Sequence, residues 1–133
     1  MPVKRVDCFL LEVEDKPGVI ARFARQLKDA KINLRGLWGY TNPKGKGKIA
    51  CVPQNNKKFI AAAKTLGLTA TQETAFHISG PDKVGALCNV LDVLDKENIN
   101  INVLDAISFS GRFGSYVWVD PKDVTVAAKA LKV

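Results

Sequence analysis

A short stretch, Asp15-Lys16-Pro17-Gly18-Val19-Ile20, decides how this sequence is organised. It recurs 67 positions later as Asp82-Lys83-Val84-Gly85-Ala86-Leu87, and the same shift places Ile32-Asn33 on Ile99-Asn100. Six identities fall within the twenty positions from Asp15 to Leu34, without a gap. Similarity between two amphipathic helices would explain the matching apolar residues, but not the matching turn and asparagine. We therefore predict that the chain is an internal duplication.

The hydrophobic pattern around the first turn predicts strand, helix, strand, strand, helix and strand. The predicted strands span residues 6–14, 32–40, 48–52 and 68–74. Apolar residues at helical spacing mark the two helices, of which the second is capped near Asn55 or Asn56 and ends at Gly67. This βαββαβ order forms a four-stranded antiparallel sheet with helices on one face. The predicted fold class is therefore α+β, with ferredoxin-like repeats.

The second repeat restates this order, with predicted strands over residues 75–79, 99–108 and 113–119. Asp120 and Pro121 begin its last helix. The sequence ends at Val133, so the second repeat has no room for a fourth strand of its own. We expect domains at residues 1–74 and 75–133. The open edge beside residues 75–79 should be covered by a strand from the other repeat or from a second copy.

The composition is that of an ordinary soluble chain: 133 residues, of which 47% are hydrophobic and 25% are charged. No window approaches the ~20 consecutive apolar residues of a membrane span, and the N-terminus lacks the apolar region of a secretory signal. We therefore expect a cytoplasmic protein without a membrane partner. The net charge of +7 is concentrated in the first half, around Lys44, Lys46 and Lys48. This excess makes a nucleic acid or an acidic partner worth testing.

Residues for catalysis and metal binding are scarce. The three cysteines, Cys8, Cys51 and Cys88, are widely spaced, and His77 is the one histidine that could join them. We therefore expect no metal site. His77 lies in a short apolar strand, which favours a packed side chain over a general base. Nucleotide-binding and phosphate-loop motifs are absent from the sequence, so we expect neither an enzyme nor a cofactor.

Each repeat places a glycine turn before a helix and an asparagine at the start of the next strand. A helix N-terminus offers unpaired N–H groups and a partial positive charge, which suit a carboxylate. Asp15 and Asp82 can pair with an ammonium group, while Asn33 and Asn100 offer both a donor and an acceptor. Together these groups suit a free amino acid. The structural alternative is an ordinary turn followed by an asparagine in a left-handed helix C-cap.

The residues quoted above, followed by Leu27 and Lys31-Ile32-Asn33-Leu34, resemble the signature of the ACT domain, a βαββαβ regulatory module attached to many enzymes of amino-acid metabolism. The resemblance covers nearly all of both repeats. It implies a stand-alone tandem ACT-domain sensor that binds an amino acid or another small effector between paired repeats or subunits. The implied partners are a second copy in a homodimer and a regulated enzyme. The ligand-facing candidates that it implies are Asp15, Pro17, Gly18, Val19, Asn33, Leu34, Asp82, Val84, Gly85, Ala86, Asn100 and Ile101.

The second copy departs from the family pattern at two points: Val84 stands in place of the proline, and the final strand is missing. Both departures favour the first copy as the effector-binding one. The alternative function is single-stranded RNA binding, because the RRM shares the βαββαβ order and the chain is basic. The nearest match to the RNA-binding pattern, residues 112–118, lacks its first glycine and has Ser115 where a stacking aromatic should lie. The sequence therefore favours the sensor.

Four aromatic residues lie on predicted strands: Trp38, Tyr40, Tyr116 and Trp118. Alternation along the first of these strands predicts that Ile32, Leu34, Trp38 and Tyr40 share a face. The pattern leaves two placements open. In the first placement, the aromatics line the sheet face opposite the helices, where they would favour sheet-to-sheet pairing or a pocket. In the second, they are core residues under a helix.

Overall fold

The computed structural model of the chain describes residues 2–133. These residues form two compact units, one of residues 7–73 and one of residues 2–6 together with 74–133. In chain order the elements are β1 (Val3–Val13), α1 (Val19–Asp29), β2 (Leu34–Thr41), β3 (Gly47–Pro53), α2 (Asn56–Thr65), β4 (Ala70–Pro81), α3 (Cys88–Lys96), β5 (Ile101–Phe109), β6 (Arg112–Val119), a 3₁₀ turn (Pro121–Asp123) and α4 (Val124–Leu131). The fold is α+β with antiparallel strands, as predicted. None of the helices within residues 2–133 has the length and apolar character that a membrane span requires.

The unit of residues 7–73 packs α1 and α2 against one face of β1, β2 and β3. Apolar side chains alternate along the strands and recur every third or fourth residue along the helices, so both element types present one apolar face. The buried core is Phe9, Leu11, Phe23, Leu27, Ile32, Ile49, Cys51, Phe59 and Ala63. The rings of Phe9 and Phe59 lie 4.8 Å apart at its centre. Burying a side chain of this size contributes about 1.5–3 kcal/mol, so this cluster is the main source of the unit's stability.

The other unit pairs β4 with β6 and β6 with β5 under α3 and α4. Its buried core is Phe76, Ile78, Val90, Leu94, Ile99, Phe113, Val117, Val119, Ala127 and Ala128. Residues 3–6 of β1 lie beside β4 in this unit. The N–H of Ser79 donates to the carbonyl of Pro2 at 3.3 Å, and Val3 packs against the core. The expectation that a strand from the first repeat covers this edge is therefore confirmed. No strand follows α4 within residues 2–133.

The strands predicted over residues 68–74 and 75–79 are one continuous strand, β4. The prediction of two strands was wrong because no glycine or proline lies between Ala70 and Ser79, and an extended chain without such residues has no reason to turn. β4 therefore contributes residues to both compact units, as β1 does. The division of the chain into domains at 1–74 and 75–133 stays a prediction.

The second strand of each repeat contains a β-bulge at an equivalent position. In β2 the register shifts within 34–36, which makes Arg35 the extra residue. In β5 it shifts within 101–103, which makes Asn102 the extra residue. These two residues are 67 positions apart, so the bulge is duplicated with the rest of the repeat. An extra residue moves the following side chains to the opposite face of the strand.

The prediction that Ile32 and Leu34 share a face with Trp38 and Tyr40 was wrong because of this bulge, since Ile32 lies in the core beneath the helices. Leu34 packs against the core beneath the helices. Trp38 is instead paired with Ala50, which alternates with the core residues of β3 and so lies on the opposite face. Of the two placements that the sequence left open, the aromatic side chains of β2 therefore adopt the one on the sheet face opposite the helices.

Candidate functional site

The two glycine turns have the same backbone conformation. Gly18 has a φ of 88° and Gly85 a φ of 73°, values that residues with a Cβ rarely adopt. In each turn the N–H that follows the glycine donates to the carbonyl three residues earlier: Val19 to Lys16 at 3.5 Å, and Ala86 to Lys83 at 3.0 Å. A positive φ at the third residue together with this bond is typical of a type II turn. Each repeat therefore uses glycine at this point for its conformational freedom.

Val84 occupies the second position of the later turn, where the first turn has Pro17. Proline is favoured there because its ring fixes φ in advance. The valine side chain is fully exposed, at 108% of its reference area, and the turn bond and the positive φ of Gly85 are both present. The departure from the family pattern therefore leaves the local geometry intact.

Both helices begin without a side-chain cap. Gly18 precedes α1 and Leu87 precedes α3, and neither donates or accepts a capping bond through its side chain. The first N–H groups of a helix have no intrahelical partner and carry the positive end of the helix dipole. The start of each helix is therefore suited to accept a carboxylate.

A groove opens at the same place in both repeats, between the glycine turn and the end of the following strand. The groove of the first repeat has a volume of about 170 Å³ and is lined by Val13, Glu14, Asp15, Lys16, Val19, Ile20, Gly39, Tyr40, Thr41, Gly47 and Lys48. That of the second has about 370 Å³ and is lined by Asp82, Lys83, Gly85, Ala86, Leu87, Cys88, Leu91, Ala106, Ile107, Ser108 and Phe113. A shift of 67 positions places Asp15 on Asp82 and Tyr40 on Ile107, so the grooves are equivalent.

The groove of the second repeat has the larger volume, and smaller side chains line it at two equivalent positions, Ala86 for Val19 and Ile107 for Tyr40. A Cβ added to Gly39 would lie 2.5 Å from Cδ1 of Ile20, so Ile20 rests directly on the backbone of β2. Ala106 is the equivalent residue of β5, and Leu87 is the counterpart of Ile20; both line the larger groove. The larger volume falls within the range of about 300–1,000 Å³ that is typical of small-molecule sites.

Asn33 and Asn100 are exposed at the starts of β2 and β5. The residues with left-handed conformation after α1 and α3 are Lys31, with a φ of 59°, and Asn98, with a φ of 56°. The structural alternative, in which the two asparagines are helix C-caps, is therefore wrong. Oδ1 of Asn33 accepts from the neighbouring N–H of Leu34 at 3.1 Å, and Nδ2 of Asn100 donates to Oδ1 of Asn102 at 3.4 Å. Both amides keep further donor and acceptor capacity for a ligand.

Within one unit the glycine turn and the asparagine are not brought together. α1 has 11 residues, and at 1.5 Å per residue it separates Gly18 from Asn33 by about 16 Å. α3 separates Gly85 from Asn100 in the same way. The predicted residues at or beside the grooves are Asp15, Pro17, Gly18, Val19, Asp82, Val84, Gly85 and Ala86. Those beyond the far ends of the helices are Asn33, Leu34, Asn100 and Ile101.

Sequence reasoning missed the groove residues from the second and third strands, such as Tyr40 and Lys48. The two are paired across β2 and β3, and Nζ of Lys48 donates to Oε2 of Glu12 at 2.8 Å. This bond and the charge of Lys48 lower the pKa of Glu12. The short hairpin loop of residues 42–46, between β2 and β3, was the available signal, because a short hairpin fixes which strand residues lie opposite one another.

Residues 112–118 do not present the surface that the RNA-binding pattern requires. Ser115 is fully buried, and its hydroxyl donates to the carbonyl of Asp105 at 2.6 Å. Tyr116 lies on the other face, where its ring centre is 4.6 Å from that of His77 and 6.1 Å from that of Trp118. His77 is therefore a packed residue, as expected. Within residues 2–133, no three side chains of His, Cys, Asp or Glu gather as a metal site would need.

The fold is a tandem of ACT-like units: a first βαββαβ repeat and a second repeat without a strand after α4, each with a glycine turn before its first helix. Neither a protein-family profile nor a curated protein sequence matches the chain. Solved structures, however, share its fold over nearly its whole length.

A crystal structure of a protein from Bacteroides thetaiotaomicron is similar to the chain with a TM-score of 0.80 and 21% identity, over 98% of this chain and 91% of that one. The regulatory subunit of aspartate kinase from Thermus thermophilus, in its ligand-free form, has a TM-score of 0.64 and 12% identity over 98% and 93% of the two chains. The corresponding subunit from Thermus flavus has a TM-score of 0.63 and 13% identity over 98% and 94%. At these identities the comparison demonstrates a shared fold, which agrees with the resemblance found in the sequence.

Proposed function

We propose that this chain is a regulatory protein that binds a free amino acid in the grooves beside its glycine turns, and that it passes the binding signal to a partner enzyme. The observation that carries the proposal is the duplicated groove with an uncapped helix start and an aspartate in each copy. The shared fold with regulatory subunits of aspartate kinase supports a regulatory role rather than a catalytic one. The proposal assigns binding to the chain and no chemical step.

The groups around each groove match the two charges of an amino acid. The carboxylate would accept hydrogen bonds from the N–H groups at the start of α1 or α3. The ammonium group would pair with Asp15 or Asp82, each of which lines its groove. The ligand side chain would lie against the apolar wall of the groove, which in the second repeat includes Leu91 and Phe113. The larger volume of that groove favours the second repeat as the stronger site.

The asparagines would reach the grooves through pairing of repeats. β2 is the outer strand of one unit and β5 is the outer strand of the other. Each groove is lined by the end of one of these strands, and each asparagine precedes the start of one. Antiparallel pairing across such an edge sets the start of one strand beside the end of the other. It would therefore bring the asparagine of one repeat to the groove of another.

A ligand held by both members of such a pair stabilises the paired arrangement. The ratio of the ligand's affinities for the paired and unpaired states sets how far the ligand shifts the equilibrium toward the paired state. By linkage, a partner enzyme that favours one of these states would change the affinity for the amino acid by the same factor. This reciprocity is how a chain that only binds a ligand can regulate another protein.

A thermal-shift screen against each of the twenty amino acids tests the proposal. A ligand at 100 times its dissociation constant adds about 2.7 kcal/mol to the free energy of unfolding, which is a readable shift for a chain of this size. Asn33→Ala and Asn100→Ala should reduce the shift, whereas Gln72→Ala, which removes an exposed amide of β4 away from both grooves, should leave it unchanged. A flat response to all twenty amino acids would overturn the proposal.

A further inference from the structure

A further cleft lies in the unit of residues 7–73, where α2 ends and the chain enters β4. This α2–β4 cleft has a volume of about 410 Å³, larger than either groove, and its nine lining residues all belong to this unit. None of the nine lines either groove. The volume falls within the range of about 300–1,000 Å³ that is typical of small-molecule sites. The cleft is therefore a second candidate site, separate from the one in the proposed function.

The end of α2 shapes one side of this cleft. Gly67 has a φ of 70°, its N–H donates to the carbonyl of Lys64 at 3.2 Å, and the N–H of Leu68 donates to the carbonyl of Ala63 at 2.9 Å. This pair of bonds is typical of a Schellman motif, and it uses carbonyls that a helix end would otherwise leave open. The backbone here has its hydrogen bonds in place, so recognition of a ligand falls to the side chains.

The floor and walls of the cleft are apolar. Phe9 and Phe59 line it and are almost completely buried, so this pair of rings forms its floor. Ile60 and Leu68 line it further out, and 48% of the reference area of Ile60 is exposed. An apolar ligand in the cleft would remove this surface from water, which is favourable in proportion to the area covered.

The fold does not require the exposed isoleucine. A shift of 65 positions aligns α2 with α4, since it places Ala62-Ala63 on Ala127-Ala128, and it places Ile60 on Thr125. Thr125 is also exposed, so the equivalent helix has a polar residue at this point. Exposed apolar surface beside a cleft indicates binding where folding does not require it.

The charge at the cleft is positive. Lys64 is the one charged residue among those that line it, and Lys64 forms no ion pair within residues 2–133. Thr69 and Gln72 are exposed at the cleft and can donate further hydrogen bonds. Because no lining residue is acidic, the ammonium group of a free amino acid would find no anionic partner here. The cleft therefore suits a different ligand from the one proposed for the grooves.

We propose that the α2–β4 cleft binds a small amphipathic carboxylate, with the apolar body of the ligand against Phe9, Phe59 and Ile60 and its carboxylate at Lys64. A single lysine matches a single negative charge, whereas a phosphate monoester carries about two. An uncharged apolar ligand would leave Lys64 without a role. The combination of an apolar floor with one cation at the rim thus specifies both parts of the ligand.

A ¹⁵N-resolved NMR titration of the chain with octanoate tests this proposal. We expect chemical-shift changes at the backbone amides of residues 59–64 and 68–72, and little change at residues 18–20 and 83–88. Octanol has the same chain without a charge and should bind about two- to fivefold more weakly, which is the effect of an exposed ion pair. Octylammonium, which reverses the charge, should bind more weakly than octanol.

Two variants separate the charged contact from the apolar one. Lys64→Gln should raise the dissociation constant of octanoate about two- to fivefold and leave that of octanol unchanged. Ile60→Thr, which introduces the residue of the second repeat, should raise both constants at least about threefold. Lys57→Gln is the matched control, because Lys57 is an exposed lysine of α2 that does not line the cleft, and it should change neither. Circular dichroism checks that each variant is folded.

The proposal is overturned if octanoate leaves residues 59–72 unchanged, or if its effects are confined to the glycine turns. It is also overturned if octanol and octanoate bind equally well, or if Lys64→Gln and Lys57→Gln weaken octanoate equally, because Lys64 would then not hold the carboxylate. The outcome is independent of the proposed function. A chain that binds octanoate in this cleft but no amino acid contradicts only the proposed function, and the reverse result contradicts only the carboxylate site.

Discussion

Gly18 is the residue on which the first turn depends most directly. Its φ of 88° is positive, and a Cβ added to it would meet no atom within 4 Å. A larger residue at position 18 would therefore be disfavoured by the positive φ and not by a steric clash. The same residue leaves the start of α1 open, because glycine has no side chain to cover the helix N–H groups.

We expect Gly18→Ala to lower the free energy of unfolding by about 1 kcal/mol or more, because alanine at a positive φ is strained. Urea denaturation measures the change. Gly45→Ala is a matched control, since Gly45 has a φ of 78° and open space around it but lies in the hairpin loop. The two variants should be destabilised to a similar extent, and amino-acid binding should be affected only by Gly18→Ala. An unchanged or increased stability of both would contradict the left-handed assignment.

The cysteines differ in accessibility. Cys8 and Cys51 are buried and Cys88 is exposed. Burial, and then the nearby Cys8, raises the pKa of Cys51 to about 12. Because the thiol of the unfolded chain ionises at a lower pH, stability that is complete below its ordinary pKa is lost as the pH rises toward 12.

At pH 8 we expect a thiol reagent such as DTNB to modify one cysteine rapidly and the other two only after unfolding. Cys88→Ser should abolish the rapid phase, whereas Cys51→Ser should retain it. The thiolate is the reactive form, so both burial and the raised pKa of Cys51 slow its reaction. Rapid modification of all three thiols in the native chain would contradict the packing of β1 against β3.

At the scale of the element, the start of β1 completes the unit that contains β4. Val3 packs against the core of that unit, and Ser79 donates its amide to the carbonyl of Pro2. We expect Val3→Ala to cost about 1 kcal/mol and to increase the hydrogen-exchange rate of the Ser79 amide. Lys4→Ala, at an exposed position of the same strand, is the control and should change neither quantity. Equal exchange rates of the Ser79 amide in the wild type, Val3→Ala and Lys4→Ala would contradict the pairing of β1 with β4.

The sequence predicted element types and order well because they follow from local patterns. The spacing of Phe23 and Leu27 identified α1, and Asn55 was predicted as a cap, which the structure confirms through its bond from the N–H of Lys58 at 3.0 Å. The bulges at Arg35 and Asn102 could not be predicted, since a bulge depends on the register with a neighbouring strand. The continuity of β4 was missed for a similar reason: its residues are held extended by partners that are distant in sequence.

The candidate site was predicted in part. The glycine turns and both aspartates were found because a turn before a helix has a local signature. The groove walls formed by Tyr40 and Lys48 were missed, although the hairpin between β2 and β3 fixes the pairing of these two residues. The separation of Gly18 from Asn33 follows from the length of α1, and the sequence pattern already contained that length. The match of turn and asparagine in both repeats suggested that the two lie close together within one repeat, although the resemblance implied binding between paired repeats or subunits.

At the scale of the whole molecule, β1 and β4 each contribute residues to both compact units. A unit that lost either strand would lose part of its sheet, so we expect the chain to unfold in one cooperative transition. Leu27 and Leu94 occupy equivalent core positions at 4% and 0% exposure. Leu27→Ala and Leu94→Ala should each cost about 2–5 kcal/mol and lower the midpoint of that single transition in urea. Two separate transitions, each sensitive to one variant, would instead support independent domains at 1–74 and 75–133.

The most direct test of effector binding is a ¹⁵N-resolved NMR titration of the chain with an equimolar mixture of the twenty amino acids. We expect chemical-shift changes to be concentrated at the backbone amides of residues 16, 18–20 and 83–88 and at the side-chain amides of Asn33 and Asn100. The amides of α2 and α4, which line neither groove, should change little. An unchanged spectrum, or changes confined to the face that carries His77 and Tyr116, would contradict the account.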